Sequence, residues 1–153
     1  ESIARVSAAR DVRLIILGEG EERTNLETLV NRLGLQDRVS MPGFVSNPYG
    51  YMARAAVFVL SSAWEGFGNV LVEALAVGTP VISTDCDHGP REILVDGAYG
   101  RLVPVGDVET MADAILDQLN KAAPRRLLQE RAREFSTERA IQRYIEVLSS
   151  WSQ

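Results

Sequence analysis

Residues 57–76 constrain the fold more than any other stretch. Val57-Phe58-Val59-Leu60 is a short apolar run of strand length, the loop after it holds Gly66 and Gly68, and that loop opens a helix carrying a carboxylate, Glu73, about one turn in. A strand, a glycine-bearing loop and a helix in that order belong to parallel sheets, whose strands are joined by helical crossovers. The turn is also built to hold an anion. Amides at the start of a helix lack intrahelical partners, and the helix dipole adds partial positive charge there. Gly66 and Gly68 remove side chains that would keep a ligand from the backbone. Glu65 in the loop and Glu73 on the helix flank the anion position, and each can accept hydrogen bonds from sugar hydroxyls. The stretch therefore predicts a nucleotide-sugar site.

The same alternation runs along the chain. Residues 1–10 end a helix, with Ile3 and Val6 at helical spacing. Leu14 to Leu17 is an apolar run of the kind covered on both faces, ending at Gly18-Glu19-Gly20. Leu26, Leu29, Val30 and Leu33 mark an amphipathic helix that stops near Gly34. Val39-Ser40-Met41 is a brief strand broken by Pro42-Gly43, and Asn47-Pro48 is a turn before a short helix from Tyr49 to Ala55. Gly78-Thr79-Pro80 ends the central helix, Val81-Ile82-Ser83 is a strand, residues 91–95 a short helix, and Arg101-Leu102-Val103 the last strand. Asp107 is placed to cap a helix striped by Val108, Met111, Ala112, Ile115, Leu116 and Leu119. Pro124 opens another helix. Ser136 caps the last, with Ile141, Tyr144, Ile145 and Leu148 on one face and Trp151 as a packing anchor. The pattern predicts an α/β fold with a doubly wound parallel sheet, one domain over residues 1–153. In such sheets ligands bind beyond the carboxyl ends of the strands, where the loops at 18–20, 43–47 and 65–69 would gather.

Composition narrows the function classes. A net charge of −5 without a basic run argues against nucleic acid. No apolar run has the length of a membrane span. The single cysteine, Cys86, excludes an internal disulfide and suits a reducing compartment. Cys86 and the single His88 are too few for a metal site, so no metal and no cofactor is expected. The chain opens on Glu1 in what reads as mid-helix, which predicts a fragment of a longer protein.

The spacing of Glu65 and Glu73, with Gly66-Phe67-Gly68-Asn69 between, resembles the Glu-x7-Glu motif in the C-terminal, donor-binding domain of retaining glycosyltransferases of the GT-B fold (glycosyl transferases group 1). The resemblance continues in order through Leu17-Gly18-Glu19-Gly20, Pro42-Gly43-Phe44-Val45, Ser61-Ser62, Glu73-Ala74-Leu75-Ala76, Gly78-Thr79-Pro80-Val81-Ile82, Gly89-Pro90-Arg91-Glu92-Ile93 and Gly100-Arg101-Leu102-Val103, and covers nearly the whole chain.

The resemblance implies a Rossmann-like domain that lacks its first strand and the basic pair carried on that strand and the helix after it. A sheet one strand short would have an exposed edge. It implies that Glu65, the catalytic-site glutamate, holds donor-sugar hydroxyls. Gly66, Phe67 and Gly68 would lie against sugar and diphosphate, and Asn69, Val70 and Leu71 would bring amides to the distal phosphate. Glu73 would take the ribose hydroxyls. Gly43, Phe44 and Val45 would border the nucleobase, and Gly18 and Glu19 would face the cleft. The partners implied are a nucleoside diphosphate sugar, with UDP suggested by the Gly89 to Ile93 stretch, and an N-terminal acceptor domain of the same enzyme. Membrane contact would come only through a lipid-linked acceptor, for a cytoplasmic enzyme peripheral to the membrane face. Alone, the chain is expected to bind nucleotide weakly and to transfer nothing.

Two other readings stand beside this one: a nonhydrolysing UDP-sugar epimerase, which shares the fold, and a non-catalytic nucleotide-binding module. Several residues also have plainer readings. Asn69 is a candidate helix cap, Arg91 and Glu92 candidates for helix pairing, and His88 a polar residue at the cleft mouth. Cys86 reads as a small buried residue, and Trp64 and Phe67 as core.

Overall fold

The computed structural model describes residues 1–150, and the anchor expected at Trp151 lies outside them. Helix α1 (Ser2–Ala9) precedes β1 (Leu14–Leu17), α2 (Arg23–Arg32) and β2 (Val39–Gly43). Helix α3 (Pro48–Met52) then leads to β3 (Phe58–Leu60), α4 (Asn69–Ala76), β4 (Val81–Thr84), α5 (Pro90–Leu94) and β5 (Arg101–Val103). The chain continues through α6 (Val108–Gln118), α7 (Arg125–Arg133) and α8 (Thr137–Ser150). Every strand pair is parallel, as the alternation of apolar runs and helices predicts.

The strands form two hydrogen-bonded groups: β1 with β2, and β3-β4-β5 in that order. No backbone hydrogen bond joins β1 or β2 to β3, β4 or β5 among the described residues. The single sheet expected from the alternation is therefore two separately bonded groups. Burial follows the pairing. Strand β4, bonded on both sides, buries all four of its residues, whereas no residue of β1 or β3 is buried and Ile15 is 48% exposed. The apolar run at 14–17 is therefore not covered on both faces as its sequence suggests. Strand β2 continues through Pro42 to Gly43 instead of breaking there. It pairs on one side only, where a residue without an amide proton is tolerated.

The core has two layers. Val81 packs with Leu71, Ala74, Leu75, Ile93, Leu94, Leu128 and Ala132. Ile82, the next residue, packs with Val6, Val103, Met111, Ala112, Ala114 and Ile115. Successive strand residues point to opposite faces, so β4 supplies both layers. Asp107 caps α6 by accepting from the Thr110 amide at 2.9 Å and the Thr110 hydroxyl at 2.7 Å. Between residues 11 and 47 only Leu35 and Gly43 are buried, so the β1-α2-β2 unit is tied down far more lightly than the rest. The apolar face of α8 is exposed, with Tyr144 at 73% and Leu148 at 67%.

Candidate functional site

The loop after β3 reaches α4 through Gly68, which takes the left-handed conformation at φ +87°, ψ +47°. A residue with a Cβ adopts that conformation at a cost of about 1–2 kcal/mol. Gly68 is thus the N-cap, and Asn69, the expected cap, is the first helical residue. The Leu71 amide donates to the Gly68 carbonyl at 2.9 Å, and the Leu71 side chain is fully buried. This leaves the amides of Asn69 and Val70 without intrahelical acceptors. No acidic side chain stands in the first turn to offset their charge. Gly66 is different from Gly68: a Cβ there would meet nothing within 4 Å, and its φ is not positive. The fold does not require glycine at 66; what glycine does there is leave space open beside the helix start.

The two carboxylates stand in different surroundings. The Ser62 hydroxyl donates to Glu65 Oε1 at 2.7 Å. Ser62 is held in turn, because the hydroxyl of buried Thr84, at the end of β4, donates to the Ser62 carbonyl at 2.5 Å. A relay thus runs from the core strand to one oxygen of Glu65. The other oxygen is unengaged among the described residues. Glu73 is half-buried on α4, and its carboxylate has no hydrogen-bond or ion-pair partner among the described residues. Sequence reading identified both glutamates and missed Thr84, whose contact with Ser62 exists only once β3 and β4 are paired.

At the carboxyl end of the other strand pair, the Gly18 amide donates to the Gly43 carbonyl at 2.9 Å. A Cβ on Gly43 would come within 2.5 Å of Glu19 Oε1, so the carboxylate lies over that glycine. Glu19 also pairs with Arg23 at 2.5 Å, and Arg23 donates to the Met41 carbonyl at 2.9 Å. Hydrogen bonds from Arg23 to Glu19 and Glu27 hold the guanidinium's pKa above its ordinary value. Phe44 projects at 83% exposure, and Val45 is half-buried. The structure therefore gathers Gly18, Glu19 and Gly43 into one group and Ser62, Glu65 and Thr84 into another, on separate sheets. No hydrogen bond or ion pair joins the two groups among the described residues.

The loop between β4 and α5 packs against the loop after β3. Gly89, at φ +85°, packs so closely on the loop of β3 that a Cβ would overlap the backbone of Phe67. His88 is exposed at φ +63° and borders an open cavity with Asp85, Arg91 and Asp96. Arg91 pairs with Asp96 at 2.9 Å and with Asp85, and these contacts raise its pKa. Cys86 is buried, as expected. Phe67 is half-buried against the core, whereas Trp64, also read as core, is 78% exposed beside Glu65. No cluster of three or more His, Cys, Asp or Glu side chains suited to a metal occurs among the described residues. No helix among them is long and apolar enough to cross a membrane.

Residues 1–135 match the profile of the glycosyl transferases group 1 family. The chain belongs to that family. It is 39% identical over 155 residues to the lipopolysaccharide core biosynthesis glycosyltransferase LpsE of Rhizobium meliloti, covering 98% of this chain and 44% of LpsE. It is 37% identical over 123 residues to a Campylobacter jejuni enzyme, N-acetylgalactosamine-N,N'-diacetylbacillosaminyl-diphospho-undecaprenol 4-alpha-N-acetylgalactosaminyltransferase, covering 80% of this chain and 34% of the relative. Among solved structures, Anabaena HepE in complex with UDP and glucose superposes with a TM-score of 0.85 at 28% identity, over 97% of this chain and 43% of HepE. The group 1 chain spans less than half the length of these three relatives. Its fold is that of the Rossmann-like C-terminal domain of GT-B glycosyltransferases. The Rhizobium and Campylobacter relatives are named as glycosyltransferases, and neither is named as an epimerase.

Proposed function

We propose that this group 1 domain is the donor-binding half of a retaining glycosyltransferase that moves a hexose or N-acetylhexosamine from a UDP-sugar to a glycan or lipid-linked acceptor. The observation carrying the reading is the start of α4, where two unengaged amides lie between the Ser62-held Glu65 and the unpartnered Glu73. The amides of Asn69 and Val70 receive the distal phosphate. Helix-terminus electrostatics contribute about 0.3–1 kcal/mol per charge when exposed and more in a closed cleft. Glu73 accepts from the ribose hydroxyls, and the free oxygen of Glu65 accepts from the donor sugar. Gly43, Phe44 and Val45 border the base, with Gly18 and Glu19 beside them. UDP is favoured over GDP by the complex of the relative HepE with UDP and glucose.

The chemistry follows from these positions. The bond between the anomeric carbon and the β-phosphate oxygen breaks, and the acceptor oxygen forms its bond on the same face of the sugar. The acceptor proton passes to the departing diphosphate. No side chain is needed as nucleophile. The helix start stabilises the charge that grows on the leaving group, and Glu65 fixes the sugar against it. An acceptor domain N-terminal to this one completes the cleft, and the enzyme works at the cytoplasmic membrane face where its acceptor is lipid-linked. The names of the Rhizobium and Campylobacter relatives, one in lipopolysaccharide core biosynthesis and one with a diphospho-undecaprenol acceptor, support that acceptor class.

Titrating UDP into isotope-labelled protein tests the reading. Amides from Gly66 to Val72 are expected to shift, and Glu73→Ala to weaken the response. Unmoved amides at saturating UDP, GDP and their sugars would overturn it.

A further inference from the structure

Phe67 stands between the two site glycines, and the structure shows what it holds on to. Its ring meets Phe135 edge-on, with centroids 5.6 Å apart and planes at 64°. Phe135 follows the end of α7, and its amide donates to the Ala132 carbonyl at 3.0 Å. Over the Phe135 ring lies the Arg131 guanidinium, 4.6 Å from the centroid, which also stands 5.5 Å from the ring of Tyr99. Arg131 uses two donors on α5: Nε to the Ile93 carbonyl at 2.9 Å and Nη2 to the Glu92 carbonyl at 2.8 Å. The N-cap of that helix is Gly89, whose backbone presses on the backbone of Phe67. The contacts close a circuit from Phe67 through Phe135, Arg131 and α5 to Gly89 and back to Phe67.

Such a circuit has a specific consequence for a loop with glycines at 66 and 68. Glycine backbone has the widest conformational freedom, so the loop's course is set by its anchors. The ring of Phe67 is one anchor and the Gly89 contact the other. Core packing fixes α4 itself, because Leu71 and Leu75 lie in one cluster with Leu128 and Ala132 of α7. The Phe67 anchors fix the segment leading into it, where Glu65 stands.

We infer that Phe135 and Arg131 are positioning residues for the donor loop: through Phe67 and α5 they set the course of residues 65–68, and hence the aim of Glu65 and of the first α4 amides. The inference rests on the donor-site reading given above. Arginine suits the task because its planar fork stacks on rings and directs two donors at once, which lysine cannot do.

The experiment is amide chemical-shift mapping and UDP titration of the full chain as wild type, Phe135→Ala, Phe135→Tyr, Arg131→Lys and Met111→Ala, with denaturant midpoints for each. Met111 is buried in the other core layer and controls for lost stability. Phe135→Ala and Arg131→Lys are expected to move the Gly66 and Phe67 amides before any ligand is added. Both should weaken UDP binding on the order of tenfold, the equivalent of about 1.4 kcal/mol. Phe135→Tyr restores both readouts, and Met111→Ala loses stability with affinity unchanged. Wild-type amide positions in unliganded Phe135→Ala would overturn the inference, as would an equal loss of affinity in Met111→Ala. A wild-type protein deaf to UDP would instead remove the donor-site reading, and the unliganded shifts would still decide whether Phe135 holds the loop.

Discussion

Gly66 and Gly68 read alike in the sequence and differ in the fold. Gly68 is required by a left-handed backbone, whereas Gly66 has ordinary backbone and open space where a side chain would go. Gly68→Ala is expected to lower stability by about 1–2 kcal/mol, seen as a lower denaturant midpoint. Gly66→Ala should leave that midpoint in place and weaken the amide response to UDP, because its methyl group enters the ligand's space. Ser62→Ala is expected to keep the fold and change the Glu65 side-chain carboxyl resonance, since the Ser62 hydroxyl donor is lost. At this scale the sequence was legible where chemistry is local. Glu65, Glu73 and the glycines are neighbours along the chain. Thr84 and Phe135 were not legible, because their contacts with the loop depend on strand pairing and on the return of α7.

Among the elements, β4 with its helices α4 and α6 forms the part whose sequence and structure agree most closely. Its apolar run is buried on both faces, and Asp107 caps α6 as its position suggested. The bonds from Thr110 hold the Asp107 carboxyl below its ordinary pKa. A lowered folded-state pKa means the stabilisation is fully present above the ordinary aspartate value and is lost as pH falls through the lower, folded one. Asp107→Asn should therefore flatten the acid side of the stability profile, measured as denaturant midpoint against pH. Leu71→Ala removes a fully buried side chain at the root of the site, and a loss of about 2–5 kcal/mol is expected in equilibrium unfolding. Strands β1 and β3 resembled buried strands in sequence and are half-covered in the structure. An apolar run reports what a strand is suited to pack against, not which neighbours are present. The same holds for α8, whose stripe is correct in spacing and open to solvent.

For the molecule as a whole, the division between the β1-β2 pair and the β3-β4-β5 group separates a lightly packed part from a densely packed one. Local opening follows buried contact, so hydrogen exchange is expected to be slowest in β4 and α6 and markedly faster across β1, α2 and β2. On the proposed donor-site reading, the division also runs through the site. Gly18, Glu19 and Gly43 belong to the lightly packed part, and Glu65 through Glu73 to the dense one. A nucleotide whose base rests on the first group and whose phosphates rest on the second would be a cross-link between two units that the backbone leaves unbonded. Its free energy of binding would then appear as cooperativity. Exchange in β1 and β2 should slow toward that of β4 as UDP saturates, so that two blocks opening separately become one.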